Sequence, residues 1–81
     1  MVVTIEFFGT QRSIAGSDST IMQIKGQATV ADALNHIKAT YPDLQLNENV
    51  MLAAVNHHIV SLGTILKADD RVCFVPAIGG G

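Results

Sequence analysis

Few residues in this chain carry reactive groups at a spacing that could do chemistry, and those that stand out come last. The sequence closes on Val75, Pro76, Ala77, Ile78, Gly79, Gly80 and Gly81. A glycine run packs nothing and loses the most backbone freedom on ordering, so it does not serve stability. It is thin instead: it can thread a channel too narrow for any Cβ, and it leaves the Gly81 α-carboxylate unhindered. That carboxylate is ionised at neutral pH, with a reference pKa of about 3.5, and is a poor electrophile until activated. Adenylation by ATP would make a mixed anhydride. A sulfide or persulfide attacking it gives a thiocarboxylate, a lysine amine gives an isopeptide bond, and the tail alone does not separate the two. Pro76 fixes φ and lacks an N–H, so it ends the preceding strand and starts the tail in an extended direction. Fully stretched, residues 76–81 reach about 20 Å, enough to enter a neighbour's active site.

The other candidate groups are weaker. His36, His57 and His58 are the neutral-pH acid–base residues. The adjacent pair has no Cys, Asp or Glu at metal-ligand spacing, so no metal site is expected. Cys73 has no nearby His or Lys to make it a thiolate and reads as apolar filler in a strand. Asp69 and Asp70 read as a turn. No CxxC, GxGxxG, P-loop or Ser-His-Asp order is present. No self-contained active site is legible, and the reactive group is the Gly81 carboxylate.

The platform for that group is small. Its 81 residues make one domain, near the lower limit for a self-sufficient core, with 48% hydrophobic and 15% charged residues and a mean hydropathy of +0.34. So apolar a chain is expected to leave some apolar surface for a partner to cover. The net charge of −2 and the lack of a basic cluster argue against nucleic acid. Apolar runs far short of about 20 residues argue against a membrane span. One cysteine and no signal-peptide pattern fit a reducing cytoplasm.

Alternation predicts a strand over residues 2–8, with Val3, Ile5 and Phe7 on one face. A polar loop follows, whose residues 11–15 can make one helical turn, and then a strand over 20–25. Thr29 is a good N-cap with Asp32 three residues on. Val30, Ala33, Leu34, Ile37 and Tyr41 form an apolar helical stripe that Pro42 stops. Leu44 and Leu46 tuck in from a polar connection. Strands are expected over 51–55, 59–62 and 71–75, with Asn56 and His57 as a turn. Terminal strands side by side, crossed by one helix, make an α+β fold of β-grasp (ubiquitin-like) type. The division is a domain over 1–76 and a flexible glycine tail over 77–81. If Val3, Ile5, Phe7, Val60, Leu62, Val72 and Phe74 face the helix, then Phe8, Ile59, Cys73 and Val75 face outward, where a solvated sheet should be polar. Phe8, Ile59 and Val75 are therefore expected to form a docking patch beside the tail, with Arg12 at its rim.

Several stretches carry a family resemblance: Met51 through Leu52, Ala53, Ala54 and Val55 to Asn56; Ile59 to Ser61; Leu66 with Asp70; and Val72 to Pro76 running on to Gly80 and Gly81. Together with the opening from Val3 to Phe8, Arg12 and Gly16, they resemble the small-subunit family of molybdopterin synthase. The resemblance covers most of the chain and is weakest over 22–28 and 41–48. It implies a β-grasp sulfur carrier whose terminal glycine, here Gly81 preceded by Gly80, is adenylated by an E1-like adenylyltransferase using ATP and converted to a thiocarboxylate. The tail would then enter a large subunit, which holds the catalytic residues, and pass sulfur to cyclic pyranopterin monophosphate in a heterotetramer. No permanently bound cofactor is implied. Phe8, Arg12, Ile59, Val75, Pro76 and Gly79 match partner-binding positions. This chain departs from the family in Ala77 after Pro76, in the extra Gly79, and in Asp69 where glycine is common, which suggests a turn with less need of glycine-like geometry. A carrier for thiazole synthesis and a ubiquitin-like protein modifier are the alternatives.

Overall fold

A computed structural model of the chain describes residues 1–44, 46 and 51–76. Its elements are β1 (Val2–Glu6), α1 (Gln11–Ala15), β2 (Ser19–Gln23), α2 (Val30–Thr40), a 3₁₀ turn (Pro42–Leu44), β3 (Met51–Val55), β4 (His58–Val60) and β5 (Arg71–Pro76). The sheet order is β2-β1-β5-β3-β4. β1 and β5 run parallel at its centre, and every other neighbouring pair is antiparallel. With α2 as the crossover, this is the expected β-grasp arrangement.

The core forms where alternation in the strands meets the stripe on α2. Val3, Ile5, Val72, Phe74 and Ala53 point inward from three strands, and Val30, Ala33, Leu34 and Ile37 meet them from the helix, all buried. Each Val, Leu, Ile or Phe among them contributes about 1.5–3 kcal/mol when taken fully from water. Leu44 and Leu46 close one end, and Phe7 packs edge-to-face on Tyr41 at 5.2 Å. The capping box is present: the Asp32 N–H donates to Thr29 Oγ1 at 3.3 Å and the Thr29 N–H donates to Asp32 Oδ2 at 2.8 Å.

Four expectations need correction. The first strand stops at Glu6 rather than residue 8: the Phe7 N–H still meets the Asp18 carbonyl at 2.9 Å in register with the second strand, but the next N–H, that of Phe8, goes to the Gln11 side chain at 2.8 Å instead of to a neighbouring strand. The second covers Ser19–Gln23, not 20–25. The fourth ends at Val60, since the chain beyond it leaves the sheet to cap α2: Leu62 and Thr64 carbonyls accept the Ala31 and Val30 N–H groups, each at 2.9 Å. Asp69 has φ +66, so its turn does require the geometry that glycine adopts freely. Asp70 holds this turn instead, its Oδ2 accepting the Lys67 N–H at 2.8 Å.

Candidate functional site

The site is built around the end of β5. Register places Pro76 opposite Met51 and Val75 opposite Leu52, so the tail root is held by β3. The predicted reactive residues Gly80 and Gly81, with Gly79, lie outside the described residues, and Pro76 is placed by its backbone pairing.

The outer face beside this root is apolar. Ala54 stands opposite both Cys73 and Ile59, and Leu52 opposite Val75. A continuous strip therefore crosses the three strands from Val75 through Leu52 and Ala54 to Ile59. Ile59 is 62% exposed and Leu52 42%, while Val75 is half-buried. Ile59 thus joins Val75 through Leu52 instead of touching the tail root directly. Leu52 is not among the docking residues expected from the sequence, although the alternation of Leu52 and Ala54 with a buried Ala53 carries its signal.

Phe8 is 49% exposed but stands off the strip. Past Glu6 the chain diverges from β5, and Phe8 becomes one wall of a groove of about 390 Å³ whose lining includes Gln11, Ile14, Leu46 and Met51. The groove thus adjoins the tail root at Met51, and apolar surface lies on both sides of the departing chain. Arg12 sits exposed on α1, its Nε donating to the Gly9 carbonyl at 3.5 Å, with no ion pair to another described residue. The sequence-predicted residues therefore split into two groups around the tail root: Val75 with Ile59 on the sheet, and Phe8 with Arg12 on the loop and short helix.

Among the described residues the candidate reactive groups, Cys73 and the pair His57 and His58, stand apart from one another. Burial and the Glu6 carboxylate push the Cys73 thiol above its ordinary value, opposite to an activated nucleophile. His57 and His58 are exposed at the β3–β4 turn, with His58 Nδ1 3.0 Å from the Asn56 carbonyl. Among the described residues no group of three or more His, Cys, Asp or Glu side chains is placed to hold a metal. Among them, too, no helix is long and apolar enough to cross a membrane. Asn56, distinctive in the sequence, has a structural task. Its Oδ1 accepts the Arg71 N–H at 3.0 Å and its Nδ2 donates to Asp70 Oδ1 at 3.0 Å, tying the β3–β4 turn to the start of β5.

Comparison with known proteins gives this geometry a context. The profile of the ThiS family matches residues 5–81. The molybdopterin synthase sulfur carrier subunit of Escherichia coli is 31% identical, over 99% of this chain and 100% of that protein. Among solved structures, a putative molybdopterin converting factor subunit 1 from Pyrococcus furiosus superposes with a TM-score of 0.82 at 26% identity, covering 96% of this chain and 99% of that one. A protein–protein complex of subunits 1 and 2 of the molybdopterin-converting factor from Helicobacter pylori contains a chain with TM-score 0.65 and 27% identity, with 100% of both chains covered.

Proposed function

Because this chain belongs to the ThiS family, we propose that it is the sulfur-carrier subunit of a molybdopterin synthase, with Gly81 as the sulfur-bearing residue. The observation that carries this reading is the end-to-end match to a curated carrier of that name at 31% identity. An apolar surface on both sides of the tail root supports it.

The chemistry follows from the tail. The Gly81 carboxylate attacks the α-phosphate of ATP on an E1-like adenylyltransferase, releasing pyrophosphate and forming the acyl adenylate. Sulfide displaces AMP and leaves a thiocarboxylate directly. A persulfide displaces AMP to give an acyl disulfide, and a thiol then cleaves its S–S bond, taking up the outgoing sulfur as a disulfide and releasing the thiocarboxylate. The carrier then docks on a large subunit through Phe8, Arg12, Ile59 and Val75, and Pro76 and Gly79 lead the tail into that subunit's active site. There the thiocarboxylate sulfur forms a C–S bond to cyclic pyranopterin monophosphate as a substrate C–O bond breaks and its oxygen leaves. Hydrolysis of the resulting thioester returns the Gly81 carboxylate and leaves the sulfur on the substrate. ATP is consumed by the activating partner, and the carrier itself holds no resident cofactor. The subunit 1–subunit 2 complex of the Helicobacter pylori relative supports assembly with a large subunit.

The test is intact-protein mass spectrometry of the chain from its native host, with fragmentation to Gly81. Replacement of one oxygen by sulfur, localised to Gly81 and absent after deletion of residues 80–81, is expected. Gly81 joined to lysines of other proteins would assign a protein modifier instead.

A further inference from the structure

The split between β1 and β5 is bridged in an unusual way. In a parallel ladder the bonds recur every two residues along a strand. Thr4 donates its N–H to the Asp70 carbonyl at 2.9 Å, and the paired residues continue through Ile5 with Val72 to Glu6 with Cys73. At the same period the Phe8 N–H would meet the Phe74 carbonyl. Instead the Gln11 carboxamide lies between them: its Oε1 accepts the Phe8 N–H at 2.8 Å and its Nε2 donates to the Phe74 carbonyl at 2.9 Å. One side chain has replaced a rung of the ladder. The neutral amide is suited to this, since one end must accept and the other must donate, which neither a carboxylate nor an alkyl chain can do.

This rung joins two things that must act together. Phe8 belongs to the exposed apolar surface, and Phe74 lies two residues before Pro76, where the tail departs. We propose that Gln11 is a positioning residue that fixes the tail root relative to Phe8, so that docking by the apolar surface aims the tail at the partner's active site. The proposal rests on the sulfur-carrier reading. Gln11 itself touches no reacting atom. It acts by keeping the end of β5 from swinging against the surface that has docked, and a small misalignment at the reacting carboxylate is costly in rate.

The test is ATP–pyrophosphate exchange with the cognate E1-like adenylyltransferase, comparing the full chain with Gln11→Met and Gln11→Glu. Both variants keep the side-chain length and lose the two-ended bridge. Expected is a fall in kcat of about tenfold, with KM for the carrier within about threefold of the parent. Ile59→Asp should show the reverse split, with KM raised and kcat kept. Unchanged kcat in both Gln11 variants, or a loss carried wholly by KM, overturns the positioning role. An unmodified chain that supports no exchange overturns the carrier reading itself. The rung is read separately on the unmodified chain by NMR, whether or not a variant folds: one Gln11 Nε2 proton should exchange with solvent markedly more slowly than in a free glutamine. Free-glutamine exchange at both protons would show that the bridge does not persist and would remove the basis of the proposal.

Discussion

The outer face of the sheet has two ends, built on the same strands yet different in chemistry. At the β2–β1 end it carries Ser19, Thr4, Gln23 and Glu6, and the Arg71 guanidinium reaches the Glu6 carboxylate at 3.3 Å. Beyond Arg71 at the start of β5, the β5–β3–β4 end carries Cys73, Val75, Leu52, Ala54 and Ile59, an uncharged strip. Stability does not demand this division, because both ends lie outside the core that α2 covers. The polar end is what a half-wet sheet should present to water. The apolar end coincides with the departure of the tail, as expected if a partner covers that end while the tail is in use. Val2, half-buried opposite Gln23, and Ile21, 62% exposed beside Thr4, are the exceptions on the polar end, and isolated apolar residues of this kind are ordinary.

The largest effect should come from crossing to the inner face: Phe74→Ala removes a buried ring from the centre of the sheet and should cost about 3–5 kcal/mol, read as a fall in the urea midpoint. A loss below about 1 kcal/mol would show that the two faces are less different than their burial implies. Next comes Ile59→Asp on the apolar end, which should weaken binding to the large subunit by about 2–4 kcal/mol in calorimetry while the melt stays within a degree or two. Ile21→Asp, equally exposed on the polar end, should leave that binding unchanged, and equal losses from the two would abolish the distinction.

Smaller effects sharpen the picture. Asn56→Ala leaves the Arg71 N–H and Asp70 Oδ1 without this partner and should cost about 1–2 kcal/mol of stability, with binding to the proposed large subunit kept. Arg71→Ala, which breaks an ion pair between exposed side chains, should change stability by no more than about 0.5 kcal/mol and less still in high salt. Cys73 lies where the two ends meet, opposite Glu6 on one side and Ala54 on the other. Its folded-state pKa is raised above the ordinary value of 9.0, chiefly by burial, so the neutral thiol is the favoured form in the fold. The sign follows: this contribution is complete below the unfolded pKa and is lost as pH rises through the folded one. The parent should therefore lose more stability than Cys73→Ala in urea titrations carried above pH 9, and parallel pH profiles would remove Cys73 from the account.

Much of this was legible in the chain. The capping pair Thr29 and Asp32, the stripe from Val30 to Ile37 and the alternation of Val3, Ile5, Val72 and Phe74 are local patterns with one physical solution, and the structure adopts it. The outward placement of Ile59 and Val75 was legible for the same reason, since a period of two fixes which side chains of a strand cannot enter the core, whereas Phe8 lies past the end of β1. Positions set by contacts distant in sequence were not. The fourth strand stops at Val60 because the carbonyls of Leu62 and Thr64 are taken by α2, more than twenty residues earlier. Asp69 adopts a left-handed backbone conformation that its residue type does not announce. Gln11 reads as an ordinary polar residue of a short helix until β5 arrives beside it.

The sequence by itself determined the two faces of the sheet, the single crossover helix and a glycine-ended segment, because periodicity, capping and the absence of side chains act within a few residues. Tertiary contacts alone set the course of the apolar strip through Leu52, the place of Phe8 off that strip in the wall of a groove, and the Gln11 amide that replaces a rung between β1 and β5. Those features depend on strand order and register, which bring together residues more than sixty positions apart.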